Sequence, residues 1–315
     1  MNPPVSILIP CFNAERWIAQ AIESALAQTW PEKEVIVVDD GSTDDSLNII
    51  KRFGNRIRWE TGPNRGGNVA RNRLLQLARG EWLQYLDADD YLLPGKITGQ
   101  VQFLREHPDV DIQFSEFMIE HWSATGSSIE ITRLAATNDI WVLLARWLLP
   151  GTGSGLWRRQ AILDAGGWNE QQPCCQEHEL YLRLLMAGSR FRYCPDGGYV
   201  YRQWSDGTVC KRDKREVHRR HLEIERRAED FLRERNELSP GRQREFNQGY
   251  FEIARQAWLY DQRFAVEIIK SIKRSQPDFV PAGKVAPYGY RLLWRLLGFR
   301  LTETIADWRR RPTAN

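Results

Sequence analysis

Three carboxylates follow directly on an apolar run in Leu83-Gln84-Tyr85-Leu86-Asp87-Ala88-Asp89-Asp90. Leu and Tyr suit a buried strand, but carboxylates this close repel one another unless a cation faces them. Ligands of open α/β sheets bind outside the carboxyl ends of the strands. Asp-x-Asp at such an end suits a hard divalent metal whose remaining ligands come from a phosphate-bearing substrate. The same residues could instead form an acidic turn that ends the strand and caps a helix at Pro94. On this segment alone both readings stand.

Three further segments carry possible chemistry. In Val38-Asp39-Asp40-Gly41-Ser42-Thr43-Asp44, an acid at a strand end can accept hydrogen bonds from a ring N–H or a ribose hydroxyl. An ordinary Asp-Gly turn would account for Gly41 but not for the paired acids. The turn Pro10-Cys11-Phe12-Asn13-Ala14 lacks G-x-G-x-x-G, which disfavours a dinucleotide site. In Asn64-Arg65-Gly66-Gly67-Asn68-Val69-Ala70-Arg71-Asn72, glycines opening a helix let backbone N–H groups approach an anion, and Arg71 can add a phosphate contact. A solvated arginine is the plainer alternative. In Gln176-Glu177-His178-Glu179-Leu180-Tyr181-Leu182-Arg183, Glu177 opens a helix and could act as general base on an acceptor hydroxyl. His178 has no second His or Cys at ligand spacing.

The elements that must hold these residues alternate. Strand patterns at Val5–Pro10, Glu34–Asp40, Arg56–Glu60 and Glu81–Leu86 are separated by helical patterns over 14–28, 42–53 and 67–78. Val35-Ile36-Val37-Val38 reads as a strand buried on both faces. This β-α-β-α-β-α-β order predicts a mainly parallel sheet flanked by helices. Further on, Asp111–Phe117 reads as a strand, His121–Arg133 as a hairpin centred on Gly126-Ser127-Ser128, and Pro150–Gly155 as a flexible loop. Helices are expected at Arg159–Ala165 and Gln176–Ala187, with a turn at Gly166-Gly167. From Lys211 the composition shifts to long charged helices, so a catalytic domain over 1–210 and a basic helical extension over 211–315 are expected.

The chain has 315 residues, 42% hydrophobic and 27% charged, values of a globular protein with a real core. No run of apolar residues is long enough to span a bilayer, and the N-terminus carries no signal-peptide pattern. Five cysteines, two of them adjacent and none in C-x-x-C, suggest reduced thiols in a cytoplasmic protein. The net charge of +3 conceals an asymmetry: residues 1–210 hold 20 Lys/Arg against 26 Asp/Glu, and residues 211–315 hold 24 against 15. A basic tail on an acidic body suggests that the tail meets something anionic.

In this order, the residues resemble the family 2 glycosyltransferases of GT-A fold. The matching segments are Val5–Pro10 with Asn13, Val38–Asp44, Gly66–Asn72, Leu86–Asp90, Gly166-Gly167-Trp168-Asn169-Glu170 and Glu177–Arg183, within roughly residues 4–205. The resemblance implies an inverting transferase that moves a sugar from a nucleotide-diphosphate donor, UDP-sugar foremost, to an acceptor hydroxyl in surface polysaccharide or glycolipid synthesis. It implies that Pro10, Asn13 and Asp40 line the nucleotide pocket, with Arg71 near base and phosphates. Asp87, Ala88 and Asp89 then meet the donor. Asp89 would be the direct ligand of Mn2+ or Mg2+, Asp87 its support, and Asp90 a cap. Glu177 would be the catalytic base, although the family more often has Asp preceded by Glu where this chain has Gln176-Glu177.

Two alternatives remain at this level: a nucleotide-sugar-binding subunit without turnover, and a transferase acting on a polyprenyl phosphate. Neither gives Glu177 a task. The tail segment Tyr288–Phe299, which mixes Trp, Tyr and Leu with Arg, and the closing Trp308-Arg309-Arg310-Arg311 suit a helix lying on an anionic membrane surface. They equally suit a helix that packs an apolar stripe on the catalytic domain. No nucleic-acid-binding pattern accompanies the charge. The expected location is cytoplasmic, with peripheral attachment to the inner face of the cell membrane as the membrane reading implies.

Overall fold

The computed structural model describes residues 2–123, 126–133, 137, 139–204 and 213–310. These fall into two compact units, Met1–Asn138 with Leu149–Val209, and Asp139–Leu148 with Cys210–Asn315.

The first unit is built on a seven-stranded sheet. Its strands are β1 (Val5–Cys11), β2 (Lys33–Asp39), β3 (Arg58–Thr61), β4 (Trp82–Tyr85), β6 (Ile112–Phe114), β9 (Leu156–Arg158) and β10 (Phe191–Tyr193), in the order β10-β6-β9-β4-β1-β2-β3. β1 pairs parallel with β2 and β4, β2 with β3, and β6 with β10; β9 alone runs antiparallel, between β4 and β6. Ile7, Leu8, Ile9, Ile36 and Val37 are all buried, as expected of strands covered on both faces. Helix α1 (Ile18–Leu26) buries Ile18, Ala21, Ile22 and Ala25, the i, i+3, i+4, i+7 stripe of a core-facing helix. The other helices of this unit are α2 (Ser46–Arg52), α3 (Gly67–Leu77), α4 (Lys96–Glu106), α6 (Arg159–Asp164) and α7 (Gln176–Met186).

A second, four-stranded sheet, β5-β11-β7-β8, joins β5 (Tyr91–Leu92), β7 (Met118–Ser123), β8 (Gly126–Ile131) and β11 (Tyr199–Gln203). The expected hairpin is the antiparallel pair β7–β8, but Gly126, Ser127 and Ser128 lie in its second strand, opposite Ser123, Trp122 and His121. Pro150–Gly155 also differs from its reading as a flexible loop. Thr152, Gly153 and Ser154 are buried, and a Cβ on Gly153 would strike the Tyr199 ring, one on Gly155 the carbonyl of Gln113. The glycines here serve close approach rather than mobility.

That buried turn rests on a polar floor. Ser154 O accepts from Gln100 Nε2 at 2.9 Å and Ser115 Oγ at 2.9 Å, and Gly153 O accepts from Gln84 Nε2 at 2.9 Å. Beneath them Lys96, 2% exposed, donates to Gln84 Oε1 and, at 2.7 Å, to Gln100 Oε1. Burial lowers its pKa to about 7, with Cys194 opposing. A neutral amine has two N–H groups to give, and two amide oxygens receive them.

The second unit contains α5 (Ile140–Ala145), α8 (Lys214–Glu234), α9 (Pro240–Ala257), α10 (Gln262–Ser275) and α11 (Tyr288–Arg310), the last broken at Gly298 (φ 70°). The sequence places α5 within the block 1–210, yet it groups with the C-terminal helices. Asp139 pairs with Arg242, and Arg146 with Glu245 and Glu252, while Trp141 stacks on Phe231. No helix among the described residues is long and apolar enough to cross a membrane.

Lys96 makes stability depend on pH. Below pH 10.5 the unfolded chain binds a proton that the folded chain, with its pKa about 7, refuses. Stability is therefore lost as pH falls from about 10.5 to about 7, with a limiting slope of about 1.4 kcal/mol per pH unit. Replacing Lys96 by Met should flatten the curve of unfolding free energy against pH across that window. An unchanged slope in denaturant titrations would show that the lysine is charged in the fold.

Candidate functional site

The carboxyl ends of β2, β1 and β4 lie side by side, as the pairing register requires, and the loops leaving them form the site. The loop after β1 is clasped to the loop after β2. Asn13, at φ 49°, accepts from Thr43 N at 2.8 Å through Oδ1, and its own N–H donates to Ser42 Oγ at 3.0 Å. Ala14 N donates to Ser46 Oγ and Glu15 N to Asp44 Oδ2. Pro10 is half-buried one residue before the end of β1.

Asp39 and Asp40 do different work. Asp39 is buried and accepts from Thr61 Oγ1 at 2.6 Å, tying β2 to β3. Asp40 turns its oxygens to the backbone N–H groups of Arg65 (2.8 Å) and Gly66 (2.9 Å), at the entrance to α3. Gly41 sits at φ 74°, and a Cβ there would lie 2.6 Å from Asn64 N, so only glycine fits the crossing of the two loops. A cavity of about 420 Å³ opens beside them, lined by Asp39, Asp40, Thr61, Gly62, Arg65 and Glu170 among others.

Helix α3 is the spine of the site. Arg71 is buried on it and donates to Asp87 Oδ1 at 2.9 Å and to Gln176 Oε1 at 3.0 Å, while its guanidinium stands 5.0 Å from the Trp168 ring centre. The next residue, Asn72, exchanges hydrogen bonds with the backbone of Trp168 at 2.7 and 2.9 Å and reaches Glu170 Oε1 at 2.9 Å. Asn68 Nδ2 donates to the carbonyl of Asn169 at 2.7 Å. These bonds seat the Gly166–Glu170 turn, with both glycines at positive φ, and the turn feeds the loop into α7. Cys175, the residue before α7, takes the left-handed conformation at φ 56°, uncommon for a residue with a Cβ. Glu177 then stands in the first turn of α7. Burial raises its pKa, Arg71 opposes that, and the charge on Asp87 adds to it. The structure thus brings Arg71, Asp87 and Glu177 into one neighbourhood, although Glu177 lies 90 residues of chain beyond Asp87.

At the end of β4 the three acids separate in role. Asp87 faces Arg71, and Asp89 Oδ2 accepts from Trp204 Nε1 at 3.0 Å. Burial raises the pKa of Asp89, and the neighbouring Asp87 raises it further. Ala88, buried between them, belongs to the apolar core. Asp90 does not cap the helix after Pro94; α4 has Gly95 as its N-cap and no side-chain cap. Asp90 is wholly buried and accepts from Tyr199 OH and from Arg202 N at 2.8 Å, which locks the turn to β11.

Asp87 Oδ1 is held by Arg71 and Asp89 Oδ2 by Trp204, the arrangement in which metal-binding carboxylates are oriented by hydrogen bonds. No group of three or more His, Cys, Asp or Glu able to hold a metal occurs among the described residues. Two carboxylates with a diphosphate completing the shell fit Mg2+ or Mn2+ chemistry.

Sequence reasoning named Arg71 but missed the partners of Asp89 and Asp90. Arg202, buried on β11, donates to the carbonyl of Asp89 at 2.7 Å, to Glu120 at 2.9 Å and to Gln20 at 2.8 Å, and lies over the rings of Trp17 and Tyr91. A charged residue inside the aromatic strand Tyr199-Val200-Tyr201-Arg202-Gln203 was the available signal. Asn72 and Trp168 lie in segments that carry the family resemblance, but their mutual bonds are visible only in the fold.

A family model, glycosyl transferase family 2, matches residues 6–141. Over these residues the chain is similar to that family. An uncharacterised glycosyltransferase of Rickettsia felis is 31% identical over 190 residues, 58% of this chain and 31% of that protein. The Escherichia coli protein WfaP, named as a UDP-Glc:alpha-D-GlcNAc-diphosphoundecaprenol beta-1,3-glucosyltransferase, is 37% identical over 118 residues, 37% of this chain and 47% of that one. The alignments thus span less than half the length of either relative. Among solved structures, residues 1–349 of S. aureus TarS in complex with UDP-GlcNAc superpose with a TM-score of 0.68 at 17% identity, covering 98% of this chain and 91% of that one. The mannosyltransferase PcManGT from Pyrobaculum calidifontis, in complex with GDP-Man and Mn2+, gives 0.55 at 15% identity, covering 99% and 89%. The shared architecture is the GT-A fold.

The position of Asp40 yields a test of its structural share. In Asp40→Asn an amide NH2 would face a backbone N–H now satisfied by carboxylate, at a cost of about 2 kcal/mol. A fall of that size in denaturant-derived stability, without ligand, is expected; an unchanged midpoint would mean the carboxylate does not hold the Arg65–Gly66 loop.

Proposed function

We propose that this chain transfers a glycosyl group from a UDP-sugar to an acceptor hydroxyl, with inversion at the anomeric carbon, in the synthesis of a surface polysaccharide or glycolipid. The observation that carries the reading is the single Arg71 side chain bonded to both Asp87 and Gln176. Through it the acids at the end of β4 and the carboxylate that opens α7 share one site. The nucleotide donor is supported by the relatives, since WfaP is named for UDP-Glc and the TarS structure holds UDP-GlcNAc.

In this reading Pro10, Asn13 and Asp40 frame the nucleoside, using the lone pairs that Asp40 keeps beyond its two backbone bonds. Arg71 acts from beneath the site, holding Asp87 in place and lending positive charge. Glu177 receives the proton of the acceptor hydroxyl as its oxygen bonds to the anomeric carbon, from the face opposite the breaking bond to the diphosphate. Its desolvated setting, which strengthens its hold on a proton, suits that task. Asp89 and Asp87 would hold a divalent cation, which when bound neutralises charge on the departing diphosphate. Gln176 is neutral where the family more often has an acid, and it leaves Arg71 free to pair with Asp87. Glu177 also favours transfer to a hydroxyl over transfer to a polyprenyl phosphate, which is ionised already.

Hydrolysis of a panel of UDP-sugars, with Mn2+, with Mg2+ and with a chelator, tests donor and metal together without an acceptor. Cation-dependent release of UDP from one sugar is expected, and no release from any donor would refute the reading. Glu177→Gln should retain donor binding and lose ~10²–10⁴-fold in transfer; near-normal turnover would remove Glu177 from the role of base. In Asp89→Ala, calorimetry should show donor affinity that no longer responds to Mn2+, and a preserved response would place the cation elsewhere.

A further inference from the structure

Helix α11 carries two apolar stripes, and only one of them is used. Tyr290, Trp294 and Phe299 are buried. Tyr290 and Trp294 meet Phe251 of α9 edge-on at 5.8 and 5.4 Å, and Phe299 meets Trp258 at 5.3 Å. The opposite side of the first segment shows Tyr288 (75% exposed), Leu292 (48%) and Leu296 (71%), spaced i, i+4, i+8 along one helical face. Arg291 and Arg295 are exposed at the intervening positions. Beyond the kink at Gly298, Leu301 and Trp308 are exposed as well.

Along α11 itself the charge of this face has one sign. Between Tyr288 and Leu301 there is no acid, while Arg291, Arg295 and Arg300 are present. The adjacent helix α10 adds Lys270 and Arg274. Glu267 is held below the usual carboxylate range by its hydrogen bond to Lys270, by the charges of Lys270 and Arg274, and by Arg300 across from α11. A second copy of the chain seated on this face would set Arg291 and Arg295 against their own equivalents with no acid between them. Exposed leucines have no task on a nucleic acid.

We propose that the Tyr288–Leu297 face of α11 binds the surface of a bilayer containing anionic lipid. Leu292, Leu296 and Tyr288 enter the headgroup boundary, and Arg291 and Arg295, with the basic side chains of α10, meet the lipid phosphates. The helix lies on the membrane and does not cross it. Nothing in this inference depends on glycosyl transfer, and its readout needs neither donor nor acceptor.

The test is co-sedimentation of the 315-residue chain with vesicles of phosphatidylcholine, alone or mixed with phosphatidylglycerol. Capture by the anionic vesicles is expected, weakening as salt screens the arginines. Arg291→Gln with Arg295→Gln should lower the partition onto anionic vesicles by roughly tenfold or more. Leu292→Asp with Leu296→Asp should abolish it. All four side chains are exposed, so thermal midpoints by circular dichroism should match the wild type. The proposal is overturned if the wild type ignores anionic vesicles, or if both double variants bind as it does. It is also overturned if sedimentation velocity finds a dimer that the leucine variant dissolves.

Discussion

Three carboxylates crowd the end of one buried strand, and the arrangement around them follows from the need to offset that charge. Two arginines do so. Arg71 on α3 meets Asp87, and Arg202 on β11 meets the Asp89 carbonyl while its own N–H serves Asp90. Each arginine is buried, and a buried charge that loses its partner is strongly destabilising, so each fixes a second element as well. Arg71 reaches Gln176 and thereby the start of α7; Arg202 reaches Glu120 and thereby the β7–β8 hairpin. The electrostatic demand of the acids therefore determines where the proposed base sits relative to the proposed donor.

The neutral counterpart of this arrangement lies under the Thr152–Ser154 turn. There Gln84, Gln100 and Ser115 satisfy the carbonyls of Gly153 and Ser154, and Lys96 donates to the two glutamine side chains. A buried turn without such partners would leave polar groups unpaired at a cost that packing does not recover. The lysine is tolerated because burial disfavours its charged form and the amide oxygens receive its hydrogens. Charge is thus gathered at the mouth of the sheet, where a charged ligand would meet it, and discharged beneath.

The comparison of sequence with structure separates two kinds of signal. Local pattern was sufficient for β1, β2, β4, α3 and α7, whose observed bounds lie within a residue or two of those expected. Each carries its own period or its own glycine, as Gly41 and Gly66 show with their positive φ. Where the meaning of a residue depends on a distant partner, the pattern misled. Gly153 and Gly155 read as mobility and are close approaches, because Tyr199 and Gln113 lie against them. Asp90 read as a cap and is a buried tie to a strand more than a hundred residues away.

By itself the sequence determined the order of strands and helices, the acids at the strand ends, and the basic character of the tail, since each is a property of neighbouring residues. Only the tertiary structure decided which acid pairs with which arginine. It also decided that Asn72 carries the turn that seats Glu177, and that Asp139–Leu148 groups with the C-terminal helices. It showed too that α11 has one apolar stripe buried and another in the open. A helical period reveals that two stripes exist, but which of them is covered is settled by what packs against it.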